Sequence, residues 1–507
     1  MIFLNHYFST VFSNRYDRKF VVFLSCLCFA YITPIILAGR YYIDDMGRGQ
    51  WGYYNWADNG RPFADLIMEF LVGGGRIVDA SPLFLFIGTV VFIFCCHEYH
   101  KANPFIAPSR ASPFMSGLVF FYIYANPFML ENISYKFDAL PMLLSLSLLL
   151  IAFLEYRNVY TKIIPVAIIV ASLSLYQASI GFYICLAVIE CIKCISVDGR
   201  KTVLNVLKKP AVRFVQLVVA YVIYAKLIQP YYLIGDYNVS HSKVIELNLD
   251  GFDIFASNCL IFFGKILSVF GVIKYQISFV LCFMVIHLVV VAYGVIRNEG
   301  GCNYTAIVYI LIIALSPVII FTFSFVHLAL LERPVFASRT MMSLSGFLFF
   351  IAYASHHVLC KWRVGCLFCL VIVSTFFIVS FSYGNALKAQ KEFDYNIANS
   401  IVSKVHELDH RGLKKVKIFG SQPSSTIRDS VISKYGFMSD LIPLYMINGW
   451  GWGGSILSLV GLKNGFELGV SLDDVCNARI SYMRREFFIR EVGDYLIVDF
   501  AMPACKN

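Results

Sequence analysis

Residues 39–51, Gly39-Arg40-Tyr41-Tyr42-Ile43-Asp44-Asp45-Met46-Gly47-Arg48-Gly49-Gln50-Trp51, follow directly on the apolar run Phe20–Ala38 and lead on to Asn59-Gly60-Arg61-Pro62. The run is long enough to cross a hydrocarbon core of about 30 Å. At its mouth stand two adjacent carboxylates, with arginines and aromatics on either side. Such acids can simply face water or cap the structure after the span. A dense polar cluster at a membrane surface is nevertheless a functional-site candidate.

The composition agrees with a chain built for lipid. Of 507 residues, 58% are hydrophobic and 15% charged, against about 25% charged in soluble domains. Apolar runs of similar length recur along the first 380 or so positions. They are continuous, and a membrane barrel would instead show short alternating segments. The net charge of +10 sits mainly in short loops, where it sets topology and does not signal nucleic-acid binding. Most of the 15 cysteines lie inside apolar runs and act as small hydrophobes. Cys366 and Cys369 form a CxxC within a span, and no Cys/His spacing suggests a metal site. No small-residue cleavage site follows the first run, so it reads as a retained span.

Arg15, Arg18 and Lys19 place residues 1–19 on the cytoplasmic side. The first span then delivers residues 39–81 to the far side. There Phe63, Leu66, Ile67, Phe70 and Leu71 recur at helical spacing opposite Asp65 and Glu69. This predicts an amphipathic helix, opened by Pro62, along the outer interface. Further spans are expected at about 82–96, 113–130, 139–154, 163–176, 180–195, 214–229, 277–296, 304–325, 341–358 and 364–383. The run Ile254–Ile273 contains Ser257, Asn258 and Lys265 and reads as re-entrant or interfacial. On this topology inner loops carry 16 Lys and Arg against 5 acids, and outer loops 10 against 13. The expectation is an all-α polytopic membrane protein of about eleven transmembrane helices, N-terminus inside, with a small C-terminal α/β extracytoplasmic domain.

Composition changes at Gly384, which divides a membrane domain, 1–383, from a tail, 384–507. The tail holds 15 Lys and Arg and 13 acids. Phe393, Ile397, Ile401, Val405 and Leu408 predict a helix. Lys415–Phe419 alternates like a strand ending at Gly420, and Phe487–Phe500 reads as a hairpin turning at Gly493-Asp494. Cys476 and Cys505 are able to pair in an oxidising compartment. Asn448-Gly449-Trp450-Gly451-Trp452-Gly453-Gly454 is either a loop whose tryptophans stack on a sugar or a turn that docks them at the membrane interface.

The concentrated polar signals fall on the outer side: Asp44, Asp45, Arg48 and Arg61; Glu131, Tyr135, Lys136 and Asp138; and His327, Glu332, Arg333 and Arg339. A carboxylate takes a proton from an attacking hydroxyl, and arginine holds phosphate in a bidentate way. Together these are the needs of transfer from a lipid-linked phosphate to a hydroxyl, where charge develops on the leaving phosphate. Plainer readings stand beside each residue. Lys136 can snorkel and Asp138 can cap the next span. Arg333 and Arg339 can anchor at the interface, and Tyr176-Gln177-Ala178-Ser179 reads as a hydrogen-bonding spot between helices. No Gly-rich phosphate loop, nucleophile elbow or nucleotide-binding domain is apparent.

The segments Tyr41–Arg48, Asn59-Gly60-Arg61-Pro62, Asn126-Pro127-Phe128 with Glu131–Asp138, and Ser174–Ser179 together resemble the membrane-embedded, serotype-converting glucosyltransferases that modify bacterial O-antigen, often encoded by prophages. The resemblance is best over residues 20–200. That family is similar to the GT-C glycosyltransferases, which implies an extracytoplasmic active site and a polyprenyl-phosphate sugar donor. The acceptor it implies is a hydroxyl of the lipid-linked O-antigen repeat. It also implies that an acid of the first outer loop, Asp44 or Asp45, is the base, and that Asp138 assists. Arg48, Arg61, Lys136, Tyr135, Arg333 and Arg339 are then candidates for the donor phosphate and substrate. The implied partners are a flippase and a cytoplasmic-side synthase of the lipid-linked sugar, in the bacterial inner membrane, with no cofactor. Two rivals remain open. A lipid-sugar flippase or transporter predicts charges mid-span and repeated halves, and few such charges and no repeat are seen. An O-antigen polymerase or ligase would change chain length in place of the repeat unit.

Overall fold

The computed structural model describes residues 14–103, 112–154, 160–196, 202–359 and 365–503. The inner-loop residues Arg110, Arg157, Arg200, Lys201, Lys361 and Arg363 fall outside these, as do Cys505 and the side chains of Cys366 and Cys369. Two compact units are present. Unit 1 comprises Met1–Thr33, Tyr54–Gly75 and Ala80–Ser380, and unit 2 comprises Pro34–Tyr53, Arg76–Asp79 and Phe381–Asn507. Unit 2 takes in the tail from Phe381 onward together with residues 34–53 and 76–79. The polar stretch at the mouth of the first span belongs to the same unit.

The first apolar run forms α1, Arg15–Ala38, and the acid pair opens α2, Asp45–Trp51. The amphipathic segment forms α3, Pro62–Val72, with Pro62 in its first turn. Ala64 and Met68 are buried, while Phe70 is 84% exposed. Unit 1 continues with α4, Leu83–Ala102, and α5, Pro113–Tyr124, which bends by 50° into α6, Leu130–Ser134. Pro127 removes a backbone donor at the bend. Asn126 offsets this: its side chain accepts from Phe128 N at 3.1 Å and donates to Tyr122 O, Ile123 O and Ser345 Oγ. Backbone groups at membrane depth need such substitutes because lipid offers none.

Next come α7, Ala139–Ile151, α8, Ile164–Leu173, α9, Ile180–Ser196, and α10, Val203–Ile223. They are followed by α11, Leu249–Val272, α12, Lys274–Asn298, α13, Tyr304–Phe323, and α14, Leu344–Leu359. Among the described residues nine helices are long and apolar enough to cross a membrane, or ten with the bent pair. The expected count of about eleven differs for a physical reason. At α7 and α8, 13 and 10 residues rise only about 20 and 15 Å, short of a hydrocarbon core. Outward-facing side chains such as Val285 and Val289 are apolar and exposed, as lipid contact requires.

Residues 254–272, expected to be re-entrant or interfacial, belong to the unbroken 24-residue α11, which is among the helices long and apolar enough to cross. The contacts of α11 run along the loop-bearing end of unit 1. Asn258 donates to Ala329 O and Leu331 O, and Phe262 packs on Phe325 and Phe336. Near the other end of the helix, Phe270 meets Phe128, just past the Asn126-Pro127 bend.

The last helix, α15, Gly365–Leu408, is 44 residues long, enters unit 2 at Phe381, and fuses the expected final span with the helix marked by Phe393 to Leu408. Four strands follow: β1, Lys415–Phe419, β2, Arg479–Met483, β3, Phe488–Val492, and β4, Tyr495–Asp499. Their order is β1-β4-β3-β2, with β1 and β4 parallel and the other pairs antiparallel. The hairpin pairs Val492 with Tyr495 across Gly493-Asp494, as its spacing predicts. Gly420 ends β1 at φ +76, and a side chain there would collide with Ala501 N at 2.8 Å. The unit's apolar core joins Ile397, Ile401 and Val405 of α15 to Val416, Ile418, Leu496 and Val498 of the sheet, and takes in Met46 of α2. Trp450 and Trp452, both partly buried, pack against this core. The helix Trp452–Leu459 also meets α2, where Gln50 Nε2 donates to Ser455 O. Cys476 is disulfide-bonded.

Candidate active site

The candidate residues divide between the two units, and each set is built locally. In unit 2, Ile43 sits at φ +43. A β-branched residue in the left-handed region is strained by about 1–3 kcal/mol. This kink turns the chain from α1 into α2. Asp44 and Asp45 consequently lie on a helical turn, with Asp44 at φ −60, ψ −23. They do not point to opposite sides as they would along an extended exit. Asp45 is fully buried and its Oδ2 accepts from Tyr42 N at 3.1 Å. This is the capping role weighed for the pair. Asp44 is partly exposed, and its side chain makes no cap bond.

Around this turn Arg48 is 4% exposed and lies over the Tyr53 ring. Tyr41 donates its hydroxyl to Asp79 Oδ2 at 2.7 Å. Burial, the Asp79 bond and neighbouring acids raise the Tyr41 phenol well above its usual range. Four positions before Asp44, Arg40 Nη2 donates to Asp394 Oδ2 at 2.7 Å. Burial alone would lower the Arg40 guanidinium, but Tyr445 and Asp394 outweigh it and the net shift is upward.

In unit 1 the loop 54–61 is held from several sides. Asp65, in the first turn of α3, accepts from Trp56 N and Ala57 N. Gly60 adopts φ +72, and a Cβ there would come within 2.7 Å of Tyr224 Oη. The Tyr224 hydroxyl in turn donates to Gly60 O. Arg61 then lies with its guanidinium 4.5 Å from the Tyr176 ring centre, and its Nε donates to Gln177 Oε1 at 3.0 Å. Gln177 Nε2 also donates to Asn59 O and Tyr224 Oη. Tyr176 and Gln177 therefore support the loop and its arginine, beyond the hydrogen-bonding spot between helices that their position predicts.

Asp138 stands at the start of α7 but makes no capping bond. Its Oδ1 accepts the indole N–H of Trp56 at 2.6 Å. Glu131 Oε1 and Tyr135 Oη accept from Arg339 Nη1 at 2.6 and 2.8 Å, and Glu131 Oε2 accepts from Arg339 N. Arg339 is thus held by a buried carboxylate. Tyr176 donates to Arg339 O. Burial, with Glu131 and Asp138, outweighs Arg61 and Arg339 and pushes the Tyr176 phenol up to about 12, so it stays a donor.

Arg61, Tyr135, Asp138 and Arg339 thus gather in unit 1 with Glu131, Trp56, Tyr176 and Gln177. Lys136 is partly buried beside them in sequence. Arg333 lies apart: its side chain is exposed, and its carbonyl meets the His241 ring near the Lys243–Glu332 pair. His327 is half-buried and packs against Gly181, and desolvation pushes it down to about 4. Among the described residues Arg61 is in no ion pair, unlike Arg339. No group of three or more His, Cys, Asp or Glu among them is placed to hold a metal ion. Trp56, at position i+11 from Asp45, carried no sequence signal for its partner, because the contact spans 82 positions.

These features define a helical protein with many membrane-length helices and clustered carboxylates and guanidiniums at the ends of its first spans. Residues 33–351 match the family model of the glucosyl transferase GtrII. The chain is also 31% identical over 451 residues to the uncharacterized 55.3 kDa protein in the gtrB 5′ region of Salmonella phage P22, covering 87% of this chain and 89% of that protein. The chain belongs to the GtrII glucosyl transferase family. No solved structure matches it.

Proposed function

We propose that this glucosyltransferase moves glucose from a polyprenyl-phosphate donor to a hydroxyl of the lipid-linked O-antigen repeat, on the periplasmic face of the inner membrane. The observation that carries the reading is the acid turn at the end of α1, within a family of glucosyl transferases. Asp44 is the base: it is partly exposed, while Asp45 is buried and caps the turn. The acceptor hydroxyl loses its proton to Asp44 as its oxygen attacks the anomeric carbon, and the bond to the donor phosphate breaks. Arg61, in no ion pair among the described residues, is the candidate guanidinium for the phosphate, where negative charge develops. Arg48 and Lys136 are further candidate cations, and Asp138 is a candidate assisting acid. The membrane-length helices suit a donor and an acceptor that both carry lipid tails.

The orientation rests on three supports. Basic residues concentrate in the loops assigned to the cytoplasm. The ends of α1 and α15 share unit 2, so both helices lead to one side. Cys476 in a disulfide suits an oxidising compartment there. A flippase for the lipid-linked glucose and a cytoplasmic-side synthase are the partners this scheme requires.

The test is mass spectrometry of lipopolysaccharide from cells carrying Asp44→Asn, Asp45→Asn or the double variant at matched protein levels. Asp44→Asn is expected to remove the added hexose from the repeat unit. A fully modified repeat unit in the double variant sinks the assignment.

A further inference from the structure

Beyond the acid turn itself, unit 2 contains a buried polar network that ends on that turn. Arg40 Nη2 donates to Asp394 Oδ2 at 2.7 Å and to Pro443 O at 2.6 Å, and its guanidinium lies 4.3 Å from the Tyr445 ring centre. The other oxygen, Asp394 Oδ1, accepts from Gln390 Nε2 at 2.7 Å and Gln422 Nε2 at 2.6 Å. Each glutamine then accepts a backbone N–H, Gln390 from Ser425 and Gln422 from Met446. Arg40, Asp394, Gln390 and Gln422 are all 5% exposed or less. The network ties α15 to the loops at 422–425 and 443–446, and ties both to Arg40.

Tyr445 completes the connection. Its hydroxyl donates to Tyr41 O at 2.8 Å and accepts from Ile43 N at 3.3 Å. One oxygen thus grips the backbone on both sides of Tyr42, immediately before Asp44. Ile43 holds a left-handed conformation that a β-branched residue abandons unless its surroundings over-determine it. The Tyr445 bridge, the Arg40 anchor and the burial of Met46 in the domain core supply that constraint.

We infer that the C-terminal part of unit 2 serves as a positioning domain for the acid turn, with Arg40, Asp394 and Tyr445 as its positioning residues. The inference rests on the assignment of Asp44 as base made above. A domain serving only to bind sugar would have no need to lock this turn through a buried ion pair and a bridging hydroxyl. A precise turn matters because a base displaced by about 1 Å loses much of its rate.

The test uses the full-length protein with Tyr445→Phe and Asp394→Asn. The first removes only the bridging oxygen and keeps the ring beneath Arg40. The second keeps a hydrogen-bonding side chain and removes the charge. Three quantities are read: hydrogen exchange of peptides covering 39–52, the thermal midpoint, and kcat and KM with polyprenyl-phosphate glucose. Support is faster exchange at 39–52 and kcat lower by about tenfold or more at unchanged donor KM in both variants, with the midpoint retained in Tyr445→Phe. Asp394→Asn should also fall between the wild type and Asp394→Ala. Wild-type exchange and kcat in both conservative variants overturn the inference, as do activity losses that only follow lost folded protein. Exchange needs no substrate, so it reports on the clamp even if the Asp44 and Asp45 variants stay active. That outcome would overturn the base assignment and leave the clamp standing.

Discussion

The indole N–H of Trp56 donates to Asp138 Oδ1 at 2.6 Å, joining the loop after α2 to the start of α7. Both residues are buried, with Asp138 at 4% exposure. A carboxylate in such a place is worth more to the protein with each directed donor it keeps. Trp56→Phe retains an aromatic ring and removes this donor. It should lower stability by roughly 1–3 kcal/mol and reduce turnover, read as a lower thermal midpoint and a slower rate at saturating donor. An unchanged midpoint would show that this bond does not hold Asp138.

Arg61 and Arg339 should respond differently. Arg339 is committed to Glu131, whose side chain is 4% exposed. Arg339→Gln leaves that carboxylate without its cation and should cost about 3–5 kcal/mol. Adding Glu131→Gln should restore much of the loss, so the double variant is more stable than Arg339→Gln alone. Arg61 is in no ion pair among the described residues and stacks on Tyr176. Arg61→Gln should keep the midpoint and raise KM for the donor by about tenfold. A double variant no more stable than Arg339→Gln would remove the ion pair from this account, and an unchanged donor KM in Arg61→Gln would remove phosphate binding.

Much of this was legible because local pattern carries it. Phe20–Ala38 formed a helix, Lys415–Phe419 a strand and Phe487–Phe500 a hairpin, each set by periodicity and turn chemistry over a few residues. The candidate cluster was legible in part, since Arg61, Tyr135, Asp138 and Arg339 do gather in unit 1. What the sequence could not carry is pairing at a distance. Arg40 and Asp394 are 354 positions apart, and nothing local to Asp394 distinguishes it from the other acids of the tail. Met46 read as part of an outer loop, yet it is buried in the core of the C-terminal sheet. The strained φ of Ile43 is also invisible in its residue type, because isoleucine normally avoids it. It arises from tertiary bonds that override local preference.

His327 gives the protein an acid sensitivity outside its spans. Burial pushes the ring from its usual value of 6.5 down to about 4. Between those values the unfolded chain takes up a proton that the folded chain refuses, so stability falls as pH drops through that window. Acidifying from pH 7 to pH 5 should cost roughly 2 kcal/mol from this residue. His327→Gln has nothing to titrate there and should lose less of its thermal midpoint over the same change. An equal drop in wild type and variant would assign the sensitivity to other groups.

The placement of α11 can be tested by which side of the membrane its two ends reach. Its length and hydropathy suffice for a crossing, but its contacts argue against one. Asn258 bonds Ala329 O and Leu331 O, and Phe270, twelve positions on, meets Phe128. Twelve residues of helix rise about 18 Å, more than half of a hydrocarbon core. A crossing helix would have carried Phe270 far from the loop-bearing end, where Asn258 and Phe128 both stand. Leu247, before the helix, and Tyr275, after it, are strongly exposed. Leu247→Cys and Tyr275→Cys should both react with an impermeant maleimide from the periplasmic side, in a background where other accessible cysteines are replaced. Labelling of the two from opposite sides would make α11 a span and require a different path for the helices that follow it.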